Sequence, residues 1–175
     1  MMDVIYYAAC SVDGFIATAD GGVDWLDPYQ GGEEDYGYAE FYSSVEALLL
    51  GSRTYEVSLR LGEWQAPDKP SWVFTHRELP IAHPSVTLTS EDPVEVVATL
   101  QERGLKRAWL MGGCELAASF RTAGLIARYM IFVVPIILGG GVPHFADAGE
   151  RSPLSLIRAK QYSSGLVQLD YSVTC

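Results

Sequence analysis

Cysteine is scarce in this sequence, and the three residues Cys10, Cys114 and Cys175 show no CxxC spacing. An odd number of widely separated cysteines argues against a disulfide framework and against a zinc site. The three histidines form no pair with carboxylates at metal-ligand spacing, so we predict no metal. This cysteine usage fits a reducing compartment, and we expect a cytoplasmic protein.

Positive charge is also in short supply. The chain has 12 lysines and arginines against 22 aspartates and glutamates, which gives a formal net charge of −10. A field of this sign repels polyanions, and no local basic cluster offsets it. We therefore predict neither nucleic acid nor an anionic membrane as a partner. A compact phosphate ligand needs only two or three cations, so the charge leaves a small anionic ligand open.

Targeting and membrane-spanning segments are not evident. The N-terminus MMDVIYYAAC has no basic region before its apolar run, which is unlike a signal peptide. The most apolar stretch, Met130 to Leu138, is far too short to span a bilayer. No Pro-rich, Gly/Ser-rich or long polar segment interrupts a chain that is 49% apolar, so we expect residues 1–175 to form one domain.

Short apolar runs alternate with helical segments along the chain. Strands are predicted at residues 4–10, 47–50, 71–74, 86–88, 108–111 and 129–138, and helices at about 36–45, from 52, at 92–103 and at 115–122. Two further strands, at 154–162 and 166–174, flank a Ser-Ser-Gly turn and form a hairpin. This order predicts a three-layer α/β/α fold with a mostly parallel sheet and an antiparallel C-terminal hairpin. Residues 18–37, rich in Gly and Asp, predict a functional loop or lid.

Two strand–Gly–helix units, LLLGSRTYE and WLMGGCELAASF, carry the first functional signal. Each unit leaves several backbone N–H groups free at a helix N-terminus, where the helix dipole favours an anion. Together the two units are suited to hold a pyrophosphate from two sides. The alternative is that glycine only turns the chain between strand and helix. No GxGxxG occurs, so the standard Rossmann fingerprint is absent.

The ordered motifs resemble a known family. They are, in chain order, YYAACSVDGFIA, GGVDWL, ALLLGSRTYE, WVFTHR, AWLMGGCELAASF and VVPIILGGGVPHF. This succession is similar to the dihydrofolate reductase-like superfamily, and most similar to the reductase domain of the bifunctional riboflavin-biosynthesis deaminase-reductase and its free-standing relatives. The resemblance covers nearly the whole chain and implies the dihydrofolate reductase-like fold for it.

The resemblance also implies a cofactor site. The positions that match the family's cofactor-binding residues are Ala9, Ile16, Gly51, Ser52, Arg53, Thr54, Thr75, His76, Arg77, Gly112, Gly113, Cys114 and Glu115. Among them, Thr75, His76 and Arg77 fall where the family surrounds the adenosine 2′-phosphate that distinguishes NADPH from NADH. Trp25 and Tyr55 are assigned to the substrate pocket. We expect NADPH, with NADH as the alternative because Ser52 stands where the family usually has Arg.

A proton donor is harder to choose. Counted back from Gly51 without gaps, Asp35 takes the position of the family's acidic residue. Hydride transfer to a C=N bond needs a proton at nitrogen, and a carboxyl group in an apolar pocket can have a raised pKa that suits this role. Asp35 is therefore a candidate catalytic acid, and Asp27 is the alternative. The competing interpretation is that residues 33–35 form a solvated acidic loop.

Our leading interpretation is an NAD(P)H-dependent reductase that acts on a small heterocyclic or imine/carbonyl substrate of the pterin or ribosylaminopyrimidinone class. The alternative is a nucleotide-binding protein that has the fold without catalysis. We also expect a homodimer, because the apolar run from Met130 to Leu138 would leave a large exposed patch on a monomer and related reductase domains commonly pair on this side of the sheet. Burial of that strand within one subunit is the alternative.

Overall fold

The computed structural model describes residues 2–147 and 151–174. Its ten strands and four α-helices follow one another, in the described residues, as β1 (Asp3–Ser11), β2 (Phe15–Ala17), α1 (Tyr38–Ser44), β3 (Ala47–Gly51), α2 (Ser52–Arg60), β4 (Ser71–Phe74), β5 (Val86–Thr89), α3 (Pro93–Glu102), β6 (Arg107–Gly112), α4 (Cys114–Thr122), β7 (Ile126–Val134), β8 (Val142–Pro143), β9 (Leu154–Gln161) and β10 (Val167–Val173). A 3₁₀ helix at Asp24–Tyr29 lies between β2 and α1.

One eight-stranded sheet organises the molecule, in the order β5-β4-β3-β6-β1-β7-β10-β9. The first six strands in this order run parallel, and β10 and β9 are antiparallel to their neighbours. A separate two-stranded pairing joins β2 to β8. The predicted fold, a mostly parallel sheet that ends in an antiparallel C-terminal hairpin, is confirmed.

Successive side chains of a strand point to opposite faces of the sheet, so the apolar strands give both faces an apolar surface. Helices cover both of these faces. Val4 and Tyr6 of β1 belong to a core shared with α3 and α4, whereas Ile5 belongs to a core shared with α1 and α2. Each face thus has its own apolar layer. The three-layer arrangement follows from the continuous apolar runs that the sequence carries in its central strands.

The longest predicted strand differs from the structure at both ends. β7 begins at Ile126, three residues before the predicted start, and ends at Val134 instead of continuing to residue 138. Pro135 lacks the N–H that a central strand needs, and Ile137 beyond it is 73% exposed. The predicted loop at 18–37 also contains the short 3₁₀ helix, and α1 begins two residues later than predicted.

The helix N-termini are of two kinds. Asp92 caps α3, where its Oδ1 accepts from the Val94 amide at 2.9 Å, and Glu95 accepts from the Asp92 amide at 3.2 Å, as the capping sequence predicts. α2 and α4 instead start after Gly51 and Gly113, and no side chain caps either of them. Their first-turn amides therefore keep donors available to a ligand. Within the described residues, no helix combines the length and the apolar character needed to cross a membrane.

Candidate functional site

A cleft of about 1040 Å³ lies where the parallel strands end. Parallel strands place their carboxyl ends at one edge of a sheet, so the turns that follow β3, β4, β5 and β6 meet there. The residues 89–93 after β5 and the segment Ala19–Val23 complete the wall. Residues 19–23 belong to the loop at 18–37 that the sequence predicts to be functional. The sequence analysis did not include residues 89–93, although the parallel position of β5 beside β4 brings them to the same edge.

Two glycine turns touch in the floor of this cleft. A Cβ atom placed on Gly51 would lie 3.5 Å from the amide nitrogen of Gly113 and 3.6 Å from the carbonyl oxygen of Gly112. A Cβ atom on Gly113 would lie 3.6 Å from Oγ1 of Thr54. Gly112 has a φ of +106°, which favours glycine, and its peptide bond to Gly113 is cis. The two uncapped helix N-termini therefore open into one cleft.

The structure brings most of the predicted cofactor residues together at this cleft. Its lining includes Ala9, Ile16, Gly51, Ser52, Arg53, Thr54, Thr75, His76, Gly113, Cys114 and Glu115. Gly112 borders the cleft through the turn it shares with Gly113, and Arg77 lies beside the wall. Because these residues come from four separate chain segments, their convergence is a property of the fold and not of any single motif.

Both arginines nearest the predicted phosphate positions pair with carboxylates. Arg77 donates to Glu56 from Nη1 at 3.2 Å and from Nη2 at 2.8 Å. This pair raises the pKa of Arg77 and lowers the pKa of Glu56. Arg53 lies 3.8 Å from Glu115, and both of these side chains are largely exposed. The cations available to a phosphate are therefore already shared with acidic neighbours.

Glu56 is a cleft residue that the sequence analysis missed. It lies four positions after Ser52 in α2, and this spacing places the two side chains on one helix face. The whole lining carries five carboxylates, Asp20, Glu56, Glu91, Asp92 and Glu115, against the arginines Arg53 and Arg60. No three potential metal ligands cluster anywhere in residues 2–147 and 151–174.

Trp25 and Tyr55, predicted to form the substrate pocket, lie in the core instead of on the cleft wall. Trp25 is 9% exposed, and its Nε1 has no hydrogen-bond partner among the described residues. Tyr55 is fully buried; its hydroxyl donates to the carbonyl of Pro80 at 2.9 Å and accepts from the amide of Ala82 at 2.9 Å. The Tyr55 hydroxyl therefore already has both a hydrogen-bond acceptor and a donor, at residues 80 and 82 of the same chain.

Neither candidate acid lines the cleft. Asp35 is exposed, and its carboxylate accepts from the amides of Gly37 at 2.9 Å and Ala39 at 3.2 Å at the start of α1. These hydrogen bonds lower the pKa of Asp35, so the expectation of a raised pKa in an apolar pocket is wrong. Asp27 is exposed in the 3₁₀ helix.

One rim of the cleft is a glycine-rich loop tied to the turn after β1. Asp13 accepts from the amides of Leu138 at 3.1 Å and Gly139 at 2.7 Å. Gly141 has a φ of +141°, and any Cβ there would collide with the carbonyl of Ala17. His144 follows on this loop, and burial lowers its pKa to about 4. The rim is therefore built by close backbone packing that only glycine allows.

The fold and the cleft define a class of protein. A mostly parallel sheet with two glycine turns and two uncapped helix N-termini at its carboxyl edge defines an open α/β domain with a ligand-binding cleft at that edge. A family model agrees with that class over residues 3–168. The chain belongs to the RibD C-terminal domain family.

Several relatives extend this result. The uncharacterized protein YwjB of Bacillus subtilis is 36% identical over 168 residues, which span 95% of each chain. Riboflavin biosynthesis protein RibD of Mycobacterium tuberculosis is 28% identical over 169 residues, and the match spans 89% of this chain but 48% of RibD.

Solved structures show the same fold. A structure from Shewanella sp. PV-4 named for riboflavin biosynthesis matches with a TM-score of 0.90 at 26% identity, over 99% of this chain and all of the other. A Thermotoga maritima deaminase/reductase matches with a TM-score of 0.73 at 18% identity, over 99% of this chain and 57% of its own. At that identity, the second likeness concerns the fold alone.

Proposed function

We propose that the chain is a cytoplasmic NAD(P)H-dependent reductase that transfers a hydride to a small heterocyclic or imine/carbonyl substrate. The observation that carries the proposal is the contact between the Gly51 and Gly113 turns, which opens two uncapped helix N-termini into one large cleft. Backbone N–H donors at helix N-termini suit a pyrophosphate, and glycine allows it close approach. The donor set therefore fits a dinucleotide.

Specific residues would hold each part of the cofactor. The amides after Gly51 and Gly113, with the Thr54 hydroxyl, would bind the pyrophosphate. Thr75 and His76 line the cleft where the adenosine end would lie, and Arg77 is close enough to join them. Ala9 and Ile16 would border the nicotinamide. When bound, this cofactor supplies the hydride, and the chain's own task is to orient it and to exclude water.

Family membership supports the substrate class. The Thermotoga relative is named a 5-amino-6-(5-phosphoribosylamino)uracil reductase, and the Mycobacterium relative is named for riboflavin biosynthesis. A ribosylaminopyrimidinone and a pterin both carry a flat heterocyclic ring and a C=N bond that a hydride can reduce, in the opened ribosylamino group of the first and in the ring of the second. The apolar side of this cleft at Ala8, Ala9 and Ile16 offers such a ring a surface. We propose this class of substrates, and the assay below distinguishes pyrimidinones from pterins.

The test measures binding and turnover separately. Fluorescence of the reduced nicotinamide gives the affinity for NADPH and NADH, and its loss on adding each of a panel of pyrimidinones and pterins gives turnover. We expect micromolar binding and oxidation with at least one member of the panel. Failure to bind either dinucleotide at millimolar concentration would overturn the proposal.

A second candidate is a nucleotide-binding protein without catalysis. The observation that favours it is Asp35, whose exposed carboxylate is held by two backbone amides and has a lowered pKa. A carboxylate stabilised in this way is a poor proton donor near neutral pH. Tight dinucleotide binding without turnover on any substrate would select this candidate.

We further propose that the chain forms a homodimer through β9. This edge strand has all eight residues exposed, including Leu154, Leu156 and Ile157 at 38%, 58% and 52%. A long edge strand with apolar side chains is a template for a symmetric partner. The first half of the run from Met130 to Leu138 is instead buried or half-buried within one subunit, so the hairpin carries the proposal. Light scattering should give twice 19.2 kDa, and a mass of 19.2 kDa at micromolar concentrations would contradict it.

A further inference from the structure

A second cavity, of about 500 Å³, lies at the opposite end of the sheet from the cleft. Its walls come from the amino-terminal halves of β1 and β7, from the first residue of β6, from α1 and the residues just before it, and from the hairpin of β9 and β10. The volume is within the range of sites for small molecules, roughly 300–1,000 Å³. None of the residues that line it belongs to the cofactor proposal.

The cavity is basic in an acidic protein. Its lining contains Arg107, Arg128, Arg158 and Lys160 against a single carboxylate, Glu40. The chain as a whole carries a formal net charge of −10. These four cations lie beside three carboxylates, because Asp170 and Asp3 add to Glu40 and Asp3 is 3.9 Å from Arg107. The positive charge that remains suits an anionic ligand.

A buried carboxylate positions two of these cations. Asp170 on β10 is fully buried, and its Oδ2 accepts from Arg158 Nε at 3.1 Å and from Arg128 Nη2 at 3.4 Å. Its Oδ1 accepts from Gln168 Nε2 at 2.9 Å, and Gln168 Oε1 accepts from the Tyr162 hydroxyl at 2.8 Å. One carboxylate fixes two guanidinium groups and neutralises only one of them. The two guanidinium groups are therefore held in place before a ligand binds, and Asp170 leaves one of their positive charges unneutralised.

Donors remain available on these arginines. Arg128 Nε is buried and has no hydrogen-bond partner among the described residues. Arg158 lines the cavity and uses only its Nε for Asp170, so its two terminal nitrogens are not engaged by that carboxylate. A β-bulge opposite Asp170 and Tyr171 lets the adjacent residues Ile157 and Arg158 both line the cavity.

The remaining wall suits the organic part of a ligand. Ile5, Phe41 and Met130 give it apolar surface. The rings of Tyr36 and Tyr162 meet edge to face with centroids 4.9 Å apart, and Lys160 Nζ lies 4.2 Å from the Tyr162 centroid. A small cavity with cations on one side and aromatic surface on the other matches a small organic phosphate better than a bare ion.

We propose that this cavity is a binding site for a small phosphate-bearing molecule, separate from the cofactor cleft. Ile5, in the cavity, and Ala9, in the cleft, point to the same face of β1 but lie about 13 Å apart along the strand. Tyr7 lies between them and stacks on Phe41 with centroids 4.1 Å apart. The two sites are thus divided by packed aromatic rings, and the proposal does not depend on the proposed reductase function.

The test uses ribose 5-phosphate as the probe and ribose as its uncharged control. Binding is followed by amide chemical shifts of the ¹⁵N-labelled full chain. Two variants, Lys160→Gln and Arg107→Gln, remove cavity cations that Asp170 does not hold, and Lys106→Gln removes an exposed neighbouring cation outside the cavity as a matched control. Each cavity variant should weaken the probe by about tenfold, since a charge-assisted hydrogen bond is lost.

We expect shifts at residues 36–44 and 157–162 with ribose 5-phosphate, none with ribose, and unchanged affinity for Lys106→Gln. Shifts confined to the Gly51 and Gly113 turns would place the probe in the cofactor cleft and overturn the proposal. Equal weakening by all three variants would show general electrostatic attraction only, and would overturn it as well. Repeating the titration with saturating NADPH should leave the probe's affinity unchanged if the sites are separate.

Discussion

The two ends of the parallel sheet differ in how they could hold a ligand. The cleft at the carboxyl end is lined by turns, offers backbone amides, and has more carboxylates than cations. The cavity at the amino end is lined by strand side chains, and cations predominate. The two sites that we propose would therefore bind anions by different means. Helix N-termini can serve one end through the backbone, while arginines serve the other.

The ion pairs of the two ends also differ in burial. At the cleft, the Arg53–Glu115 side chains are 82% and 77% exposed, so their pairing contributes little to stability. At the cavity, Asp170 is completely buried between two arginines. We therefore expect the ion pairs at the amino end to stabilise the fold more than the Arg53–Glu115 pair at the cleft does.

The largest effect is expected for Asp170→Asn. Removing the shared carboxylate leaves Arg128 and Arg158 to repel each other, and breaking a buried pair costs roughly 3–5 kcal/mol. Both arginines are partly exposed, so we expect a loss near the lower bound, about 3 kcal/mol, in the free energy of unfolding measured with urea. The control Glu115→Gln should change it by less than about 0.5 kcal/mol. Similar losses in the free energy of unfolding for the two variants would contradict the expected difference between the two ends of the sheet.

Dinucleotide stabilisation ranks next. A ligand at 100 times its dissociation constant adds about 2.7 kcal/mol to the free energy of unfolding, visible as a rise in Tm. Since the ends of the sheet are far apart, NADPH should stabilise the Asp170→Asn variant by the same increment. A smaller increment in the variant would mean that the two ends are coupled, and no rise in either protein would count against the cofactor.

The cleft rim supplies the third measurement. His144 is 3% exposed, its ring stacks on Phe145, and burial lowers its pKa from 6.5 to about 4. Because the unfolded chain binds the proton more readily, stability present above pH 6.5 is lost as the pH falls towards 4. From about pH 7.5 to about pH 5 the loss should be about 2 kcal/mol by linkage. His144→Gln should lose less over the same range, and an identical slope would contradict the assignment.

The sequence predicted the architecture well because the signals were long and regular. The strand–Gly–helix units around Gly51 and Gly113 and the capping residues of α3 depend on local chemistry, and the structure has them as predicted. The end of β7 was misplaced because apolar character continues past Pro135 although sheet pairing does not. A run of hydrophobic residues reports burial more directly than it reports strand boundaries.

Side-chain partners were predicted least well. The pairing of Arg77 with Glu56, the burial of the Tyr55 hydroxyl and the backbone contacts of Asp35 all depend on how separate segments meet. The amino-end cavity was missed for the same reason, because Arg107, Arg128 and Arg158 lie on three strands that pair only in the folded sheet. No periodicity within one segment contains this information.

The smallest effect concerns cofactor choice, and it tests whether Arg77 contacts a phosphate group at the cleft. If Arg77 contacts the 2′-phosphate, Arg77→Ala should weaken NADPH by about tenfold and leave NADH nearly unchanged, since a charge-assisted hydrogen bond is worth roughly 1.5 kcal/mol at its lower bound. Glu56 competes for the same guanidinium group, at 2.8 Å from Nη2. Glu56→Gln should therefore shift the NADPH/NADH ratio in the opposite direction, by a few-fold. Lys106→Gln controls for a change in net charge. Equal losses of both cofactors in Arg77→Ala would show that Arg77 supports the wall of the cleft and does not contact the 2′-phosphate.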